Sequence, residues 1–593
     1  MIRTPLRPLA RILAARDRGE SPAAIERENQ RLRQEQQRDR ARQRAEGRLL
    51  VLGVFFFSAF ALVGLRMGAL ATSEPSEPRA AAPGAQIVAQ RADIVDRKGR
   101  VLATNLATHS LYAQPRLMVD KLRAAQELAR IFPDLEAEKL QALFTGDRTF
   151  IWLKKRISPE QMQRVHDIGE PGLLFGPREM RFYPNGKLAA HVLGGYSFGR
   201  ESVHAAEVIG VAGVERAFDD FLRDPGNGAA PLRLSLDLTV QATVEQVLAG
   251  GMTLMNAKGA AAVLMDAKSG EVLSMVSLPA FDPNDRPAPL TTGDAGDSPL
   301  FNRAVQGVYE LGSTFKIFAA AQALDLGLVA PSTMIETKGP LVWGRYKIRD
   351  FHDYGRELSM TDVIVKSSNI GTARVALQIG AARQKAFLKQ LGFLDPTPVE
   401  MVEAPGAQPL YPANWSEIST MTISYGHGLS ASPLHLAAAY ASVVNGGTRV
   451  RPTLLAAPPA QPGERIVSAG TSARIRSMLR EVVTRGTASF GEVPGYAVGG
   501  KTGTADKPRP GGGYYKDKVI ATFASVFPAH DPKYVLIVTL DEPEETSGPR
   551  PRRTAGWTAV PVATEIIRRA APLLGLRPEI EPAPGFGVTE VSN

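Results

Sequence analysis

An uncharged apolar run near the N-terminus is the feature that most constrains what this chain can fold into. Residues 49–65, LLVLGVFFFSAFALVGL, carry no charged side chain and lie between Arg48 and Arg66. Counted on to Ala71, the segment is long enough for a helix to cross a bilayer core of about 30 Å. The arginine-rich flank lies on the N-terminal side, which predicts an anchor at residues 49–71, a cytoplasmic N-terminus and an exported remainder.

A cleaved signal peptide is the competing interpretation, because ALA at 69–71 resembles a cleavage site. The charged tail at residues 1–48 is far longer than an ordinary signal-peptide n-region, which favours an uncleaved anchor. This tail contains 13 Arg, no Lys and 7 acids, and so carries +6 of the chain's net charge of +10. It has no aromatic side chain to stack on bases, so no nucleic-acid partner is expected. Residues 21–46 are predicted to be a solvated helix or a disordered segment.

Changes in composition divide the rest of the chain. Residues 72–85 are rich in Pro, Ala and Ser and predict a linker. Region 86–230 mixes short strand-like runs with turns, region 231–575 alternates strands with helices, and a loose Pro-rich tail is expected at 576–593. The absence of cysteine excludes disulfides and thiolate metal sites, and the 8 histidines show no paired ligand spacing.

The hydrophobic patterns predict an α/β fold. We expect a turn at Lys98 and Gly99, a helix at 121–132, a strand from 232 followed by a helix, a hairpin around 268–270, strands near 519–529 and 533–543, and a closing helix at 559–574. Strands at both ends of the second region, with helices between them, predict a body whose first and last segments share one sheet.

YELGSTFKIF, residues 309–318, places a serine three residues before a lysine at the start of an apolar run. Residues three apart lie on the same helix face, so the Lys316 amine can reach the Ser313 hydroxyl. A buried lysine tends to lose its charge, and a neutral amine beside a serine is a base beside a nucleophile. The alternative is an N-cap at Ser313 with Lys316 extended to solvent.

Two further motifs follow in the second region. KSSNIG places Ser367, Ser368 and Asn369 at a predicted helix end, and GGKTGTA places Lys501, Thr502, Gly503 and Thr504 after glycines. Taken alone, the first could be a polar turn and the second a glycine-rich hairpin. SxxK, SxN and KTG in this order indicate a serine acyl-enzyme site.

These motifs resemble those of class B penicillin-binding proteins, which are membrane-anchored peptidoglycan transpeptidases. RADIVDRKG (91–99), RFYPNGKLAAHVLGG (181–195) and GVAGVERAFDDFL (210–222) resemble the family's pedestal motifs, and SYGHGLSASPLHLAAAYA (424–441) resembles its transpeptidase domain. The characteristic pedestal positions are Arg91, Asp96, Arg97, Gly99, Arg181, Tyr183, Pro184 and Glu215. Two residues depart from the family pattern: Ala92 replaces a usual glycine, and Leu311 replaces a common proline.

The resemblance implies an α/β architecture with a single transmembrane helix, an elongated α+β pedestal at 86–230, and a transpeptidase domain at 231–575. That domain is expected to have a central antiparallel sheet with helices on both faces. The resemblance also places the anchor in the bacterial inner membrane and the catalytic domain in the periplasm. No cofactor and no metal are expected, and His352 is expected to be structural or to lie at the cleft rim.

The resemblance further implies a role for each motif residue. Ser313 would attack the carbonyl between the two terminal D-alanines of a stem peptide while Lys316 takes its proton. The backbone N–H groups of Ser313 and Thr504 would bind the oxyanion. Ser367 would pass a proton to the leaving amine, and Asn369 would hold Lys316 and the substrate amide. Lys501 would attract the substrate carboxylate, and the implied substrate-binding residues are Ser368, Thr502, Gly503 and Thr504.

The partners implied by the resemblance are stem peptides that end in D-Ala-D-Ala, β-lactams, an FtsW-type glycosyltransferase of the SEDS family and other divisome membrane proteins. Small residues in the anchor, Gly53, Ser58 and Gly64, suit close helix packing. The modest pedestal favours the division-specific type, with an elongation-type enzyme as the alternative. A β-lactamase is disfavoured because the chain lacks an ExxLN loop, and a non-enzymatic β-lactam sensor or scaffold is disfavoured by the three intact motifs.

Overall fold

The computed structural model describes residues 7–21, 23–72, 91–201, 206–227, 230–397, 399–456, 463–509 and 511–579. The chain forms two compact units. The first comprises residues 1–78 and 113–151, and the second comprises residues 79–112 and 152–593. The predicted linker lies almost wholly outside the described residues, as does most of the predicted C-terminal tail.

The described residues of the first unit include four α-helices: α1 (Arg7–Asp17), α2 (Ala23–Thr72), α3 (Lys121–Ile131) and α4 (Ala137–Thr145). Helix α2 includes the apolar run, and its stretch Glu46–Leu65, with mean hydropathy 2.2, is long and apolar enough to cross a membrane. Its large apolar side chains are exposed, with Phe57 and Leu65 each at 76%. This helix fits a single-pass membrane anchor.

The helix predicted at residues 121–132 is confirmed by α3. Its N-terminus is capped by Asp120, whose carboxylate accepts a hydrogen bond from the Arg123 N–H at 3.0 Å. Ala124, Leu128 and Ile131 recur at helical spacing and are buried. Helix α3 packs against α4, which buries Leu140 and Phe144.

The pedestal part of the second unit is built on a five-stranded sheet. Its elements are β1 (Ile94–Val95), β2 (Val101–Ala113), β3 (Ile151–Ile157), β4 (Leu173–Phe182), β5 (Gly195–Glu201), β6 (Ala206–Ala212), β7 (Leu232–Arg233), α5 (Pro159–His166), α6 (Ala190–Leu193), α7 (Gly213–Ala217) and α8 (Asp219–Arg223). The strand order is β3-β2-β1-β7, and β4 also pairs with β2. β5 and β6 form a separate antiparallel pair. The predicted turn at Lys98 and Gly99 joins β1 to β2, as expected.

An arginine–carboxylate cluster lies beneath this sheet and consists of Arg91, Arg181, Glu215 and Asp219. Arg91 donates to Glu215 and to Asp219, each at 2.7 Å, and Arg181 donates to the other oxygen of Glu215 at 2.7 Å. All four side chains are buried. Buried charges are tolerated when each is paired and hydrogen-bonded, so this cluster explains why the pedestal pattern carries arginines and acids at these positions.

The remainder of the second unit, from residue 238 onward, is built around a second sheet. Its strands are β8 (Gly259–Asp266), β9 (Val272–Leu278), β10 (Tyr309–Glu310), β11 (Met334–Glu336), β12 (Leu341–Trp343), β13 (Tyr346–Ile348), β14 (Glu357–Ser359), β15 (Ser430–Ala431), β16 (Gly499–Pro508), β17 (Tyr514–Phe527) and β18 (Tyr534–Asp541). The central sheet has the order β16-β17-β18-β8-β9, and every neighbouring pair is antiparallel. The other six strands form three short pairs.

The helices of this part are α9 (Leu238–Leu254), α10 (Lys316–Asp325), α11 (Met360–Val365), α12 (Asn369–Ile379), α13 (Ala381–Gln390), α14 (Glu417–Ser424), α15 (Pro433–Val444), α16 (Ala469–Arg485) and α17 (Ala559–Leu573). Strands β8, β9 and β18 are buried along nearly their whole length, so helices cover both faces of the sheet. The predicted antiparallel sheet with helices on both faces is confirmed, as are the hairpin at 268–270 and the closing helix.

The strand predicted from residue 232 differs from expectation. The strand that forms here, β7, consists of Leu232 and Arg233 alone. It pairs in parallel with β1 of the pedestal sheet. The Leu232 N–H donates to the Asp93 carbonyl at 2.8 Å. The central sheet therefore begins at β8, and it is β8 and β9 that share it with the last strands of the chain.

Candidate active site

The SxxK motif spans a helical junction. A 3₁₀ turn at Gly312–Phe315 contains Ser313, and α10 begins at Lys316, so the predicted helix start is displaced by one turn. The Lys316 Nζ lies 3.0 Å from the Ser313 Oγ, as the three-residue spacing predicted. Ser313 is partly exposed, whereas the Lys316 side chain is completely buried. The alternative in which this lysine reaches solvent is therefore wrong.

The surroundings of Lys316 favour its neutral form. Its Nζ also contacts the Ser367 carbonyl at 2.6 Å and the Ser367 Oγ at 3.0 Å, and it has no salt bridge to any described residue. Burial lowers the pKa of Lys316 well below its usual value, and the charge of Lys501 lowers it further, against an opposing effect of Asp350. A neutral amine can donate to the Ser367 carbonyl while accepting the proton of Ser313.

The SxN motif lies at the junction between α11 and α12. Ser367 adopts a left-handed backbone with φ of 65°, a conformation that is costly for a residue with a Cβ. Its Oγ contacts the amines of both Lys316, at 3.0 Å, and Lys501, at 2.9 Å. These two lysines, Ser313 and Ser367 form a lysine–serine cluster, in which Ser367 connects the two amines.

The structure gives Ser368 and Asn369 surroundings that their sequence motif did not specify. Ser368 is fully buried and caps α12, accepting from the Gly371 N–H at 2.9 Å and donating to Asp350 at 2.6 Å. Its hydroxyl is therefore engaged in positioning the helix rather than open to a substrate. The side-chain amide of Asn369 donates to the Arg349 carbonyl at 3.0 Å, and its described hydrogen bonds do not include Lys316.

The KTG motif lies on β16, at the edge of the central sheet. Lys501 is completely buried, and its Nζ contacts the Ser367 Oγ and, at 3.2 Å, the Thr502 carbonyl. Burial lowers the pKa of Lys501 to about 7. The amine therefore exchanges between charged and neutral forms near neutral pH.

The other KTG residues shape the cleft wall. The Thr502 hydroxyl shares a hydrogen bond of 2.6 Å with Thr487, and the Thr504 hydroxyl accepts from the Ala555 N–H at 3.0 Å. A Cβ on Gly503 would lie 2.2 Å from the Leu311 carbonyl oxygen, so only glycine allows β16 to approach the nucleophile turn this closely. Thr504 and the turn that carries Ser313 are consequently neighbours.

The nucleophile turn itself is fixed by close backbone packing. Gly312 has a positive φ of 57°, and a Cβ there would lie 2.8 Å from the Thr504 carbonyl oxygen. The Tyr440 hydroxyl donates to the Thr314 carbonyl at 2.8 Å from within the core. These contacts hold the Ser313 backbone beside that of Thr504, where two N–H groups can converge on one oxyanion.

Sequence reasoning did not identify Asp350. Its carboxylate accepts hydrogen bonds from the Ser368 hydroxyl and from the N–H groups of Asn369 and Ile370 at the start of α12. An anion is stabilised at a helix N-terminus, so Asp350 fixes the segment that carries the SxN motif. The signal in the sequence was its position in IRDFHDYG, two residues before His352.

His352 is exposed and lines a cavity beside the SxN motif. Within the described ranges, no group of three or more His, Asp or Glu side chains is placed to hold a metal ion.

Comparisons with known proteins agree with the site geometry. A family model described as the penicillin binding protein transpeptidase domain matches residues 260–568, and one described as the penicillin-binding protein dimerisation domain matches residues 86–228. The chain is 35% identical to a probable peptidoglycan D,D-transpeptidase FtsI from Caulobacter vibrioides, over 92% of each chain. It is 29% identical to the peptidoglycan D,D-transpeptidase FtsI of Escherichia coli K12, over 77% of this chain and 80% of the relative.

Among solved structures, the chain is similar to penicillin-binding protein 3 from Mycobacterium tuberculosis in its complex with aztreonam. The TM-score is 0.62 and the sequence identity is 27%. The match covers 83% of this chain and 98% of the other.

Proposed function

The chain belongs to the class B penicillin-binding proteins and is a division-type peptidoglycan D,D-transpeptidase, and from this premise we propose the role of each residue in its site. Ser313 is the nucleophile, Lys316 its base, Ser367 the group that passes the proton onward, and Lys501 the second amine of that relay. The observation that carries this assignment is the lysine–serine cluster, in which two buried amines contact one serine hydroxyl and lack any described carboxylate partner.

In the first step, the neutral Lys316 amine accepts the Ser313 proton while the Ser313 Oγ bonds to the penultimate D-alanine carbonyl of the donor stem peptide. The N–H groups of Ser313 and Thr504 stabilise the oxyanion. The proton then passes from Lys316 through the Ser367 hydroxyl to the leaving amine. The C–N bond breaks, terminal D-alanine departs, and the donor remains as an ester on Ser313.

In the second step, an amine of a neighbouring stem peptide attacks this ester. A C–N bond forms, the C–Oγ bond breaks, and the amine's proton returns to Ser313 through Lys316. The product is a crosslink between two stem peptides. A β-lactam follows only the first step, because its leaving amine stays covalently attached and obstructs the acceptor.

Substrate carboxylate recognition is assigned to the outer face of β16. The hydroxyls of Thr502 and Thr504 are the available direct donors, and the charged fraction of Lys501 adds a positive field behind them. Gly503 contributes by permitting close approach of the strand to the nucleophile turn. Ser368 and Asn369 keep the start of α12 in register with Ser367.

The membrane arrangement and partners belong to the same proposal. The anchor is placed in the inner membrane, with the arginine-rich tail in the cytoplasm and the chain that follows the anchor in the periplasm, on the basis of the one-sided basic flank. The exposed apolar face of α2, with Gly53, Ser58 and Gly64, is proposed to pack on an FtsW-type glycosyltransferase, which supplies nascent glycan. Other divisome membrane proteins are further proposed partners.

Intact-protein mass spectrometry of the full chain in detergent tests the assignment of the nucleophile. Incubation with benzylpenicillin should add the mass of one intact penicillin to the parent and none to Ser313→Ala. Ser332→Ala provides a control outside the site. Consumption of the drug without a lasting adduct would indicate a hydrolase instead, and an adduct on Ser313→Ala would remove this serine from the proposed role.

A further inference from the structure

A cavity of about 580 Å³ lies beside the SxN motif. Two chain segments, 337–340 and 349–356, form most of its wall, and Ile370 of α12 completes it. The segments are joined by backbone hydrogen bonds from Thr337 and Lys338 to the Arg356 carbonyl, at 2.9 and 3.2 Å. The volume is in the range of roughly 300–1,000 Å³ that small-ligand sites occupy.

The charges around this cavity do not balance. Lys338, Arg349 and Arg356 line it, all are exposed, and none has a carboxylate partner in the part of the chain that the structure describes. The two acids in the lining accept hydrogen bonds from other groups rather than from these cations. Asp350 accepts from Ser368 and the start of α12, and Asp353 accepts from the Gly355 N–H at 2.9 Å. The lining therefore carries three cations and two carboxylates, a net charge of +1 (3 − 2), and the three cations without a described carboxylate partner favour an anionic ligand.

The cavity adjoins the segment that carries the SxN motif and shares no lining residue with the proposed donor site. The Arg349 carbonyl accepts a hydrogen bond from the Asn369 side-chain amide. The carboxylate of the next residue, Asp350, accepts one from the Ser368 hydroxyl. None of the lining residues belongs to β16 or to the turn that carries Ser313. A ligand here would lie next to the SxN segment without occupying the strand assigned to the donor carboxylate.

We propose that this cavity binds carboxylates of the acceptor stem peptide during the transfer step. The inference rests on the proposed function, which requires a second peptide to deliver its amine to the ester on Ser313. Transfer forms the C–N bond, breaks the C–Oγ bond and returns the amine's proton to Ser313. Pairing the acceptor's carboxylates with Lys338, Arg349 and Arg356 holds it beside the SxN segment and raises its effective concentration over water.

A partition assay on the full chain in detergent tests the proposal. The donor is N-benzoyl-D-alanylthioglycolate, which forms the same type of ester on the serine. The two acceptors are Nα-acetyl-γ-D-glutamyl-L-lysine, with two carboxylates and a free side-chain amine, and its diamide, which has the same amine and no carboxylate. The measured quantity is the ratio of transfer product to hydrolysis product, which counts only the acyl-enzyme that has formed.

The test variant is Lys338→Gln combined with Arg356→Gln, and the matched control is Lys347→Gln, an exposed cation on β13 that does not line the cavity. For the acidic acceptor, the double variant should lower the ratio about three- to tenfold, as expected for two partly exposed ion pairs. For the diamide its ratio should equal that of the parent. Lys347→Gln should match the parent with both acceptors.

An equal loss with both acceptors, or no loss with either, would overturn the proposal. So would a parent chain that hydrolyses the thioester but never transfers to the acidic acceptor. A parent that forms no acyl-enzyme with either the thioester or benzylpenicillin would instead overturn the proposed function, and the inference with it.

Discussion

The second unit contains two clusters of buried ionisable side chains, one in each half. Their comparison shows that the hydrogen-bonding partners of a buried group determine how burial shifts its pKa. In the arginine–carboxylate cluster, the carboxylates of Glu215 and Asp219 receive guanidinium hydrogen bonds at 2.7 Å. In the lysine–serine cluster, two amines with equally complete burial contact hydroxyl and carbonyl oxygens only. The first arrangement pairs opposite charges, whereas the second lowers the pKa values of both lysines.

The pKa shifts follow this difference in partners. Burial alone would raise the pKa of Asp219, but hydrogen bonds from the Gly210 N–H and Arg91 lower it below its usual value. For Lys316 and Lys501 no comparable partner opposes burial, and both pKa values fall. The desolvation cost of burying a charge is thus offset by ion pairing in the pedestal. In the cleft no such pairing offsets it, so burial lowers the lysine pKa values and allows a neutral amine to act as a base.

The largest expected effect comes from removing the base. Lys316→Met keeps the length and apolar stem of the side chain but cannot accept the Ser313 proton, so the second-order rate of acylation by benzylpenicillin should fall by about 10³-fold or more. Because a buried amine without an ion partner costs stability, the thermal unfolding midpoint should not fall. Stopped-flow acylation and scanning calorimetry measure the two quantities. A variant that acylates within tenfold of the parent would contradict the role of Lys316.

The matching change in the pedestal should have the opposite outcome. Arg181→Met leaves one oxygen of the buried Glu215 without its guanidinium, and breaking such a pair costs about 3–5 kcal/mol of folding free energy. Calorimetry should show a lower unfolding midpoint, while the folded fraction acylates at the parent rate. Arg164→Met, an exposed arginine on α5, should leave the midpoint unchanged. An unaltered midpoint in Arg181→Met would mean that the cluster does not stabilise the fold.

The comparison also explains what the sequence could reveal. Ser313 and Lys316 are three residues apart, and helical geometry alone brings their side chains together, so that contact was predictable. The contact of Lys501 with Ser367 joins residues 134 positions apart and depends on the packing of β16 against the α11–α12 junction. Motif order implied that these residues share a site but did not give the arrangement in which Ser367 connects two amines.

Residues without a motif of their own were the hardest to predict. Asp350 lies 18 residues before Ser368, and its role arises only when the start of α12 is folded against it. Likewise, the segment from residue 232 has an alternating apolar pattern that would suit either sheet, and its pairing with β1, which includes a hydrogen bond from the Leu232 N–H to the Asp93 carbonyl, is a tertiary contact that the local pattern does not specify. That β8, β9, β17 and β18 are buried strands was predictable because each contains a long apolar run, whereas their antiparallel pairing was implied only by the family resemblance.

The smallest expected effect is in the pH dependence of acylation, on which the two amines of the lysine–serine cluster should act in opposite directions. Lys316 acts as a base, so acylation should fall as the pH drops through its lowered pKa. If the charged form of Lys501 assists proton transfer and carboxylate binding, acylation should also fall as the pH rises above about 7, where this lysine loses its proton. The alkaline loss should be about tenfold and should be visible in second-order acylation rates between pH 5 and pH 10. Lys501→Arg keeps a charge at every pH in this range, so its acylation rate should lack the alkaline decline. An alkaline decline that persists in Lys501→Arg would assign that titration to another group and leave Lys501 with a purely structural place beside Ser367.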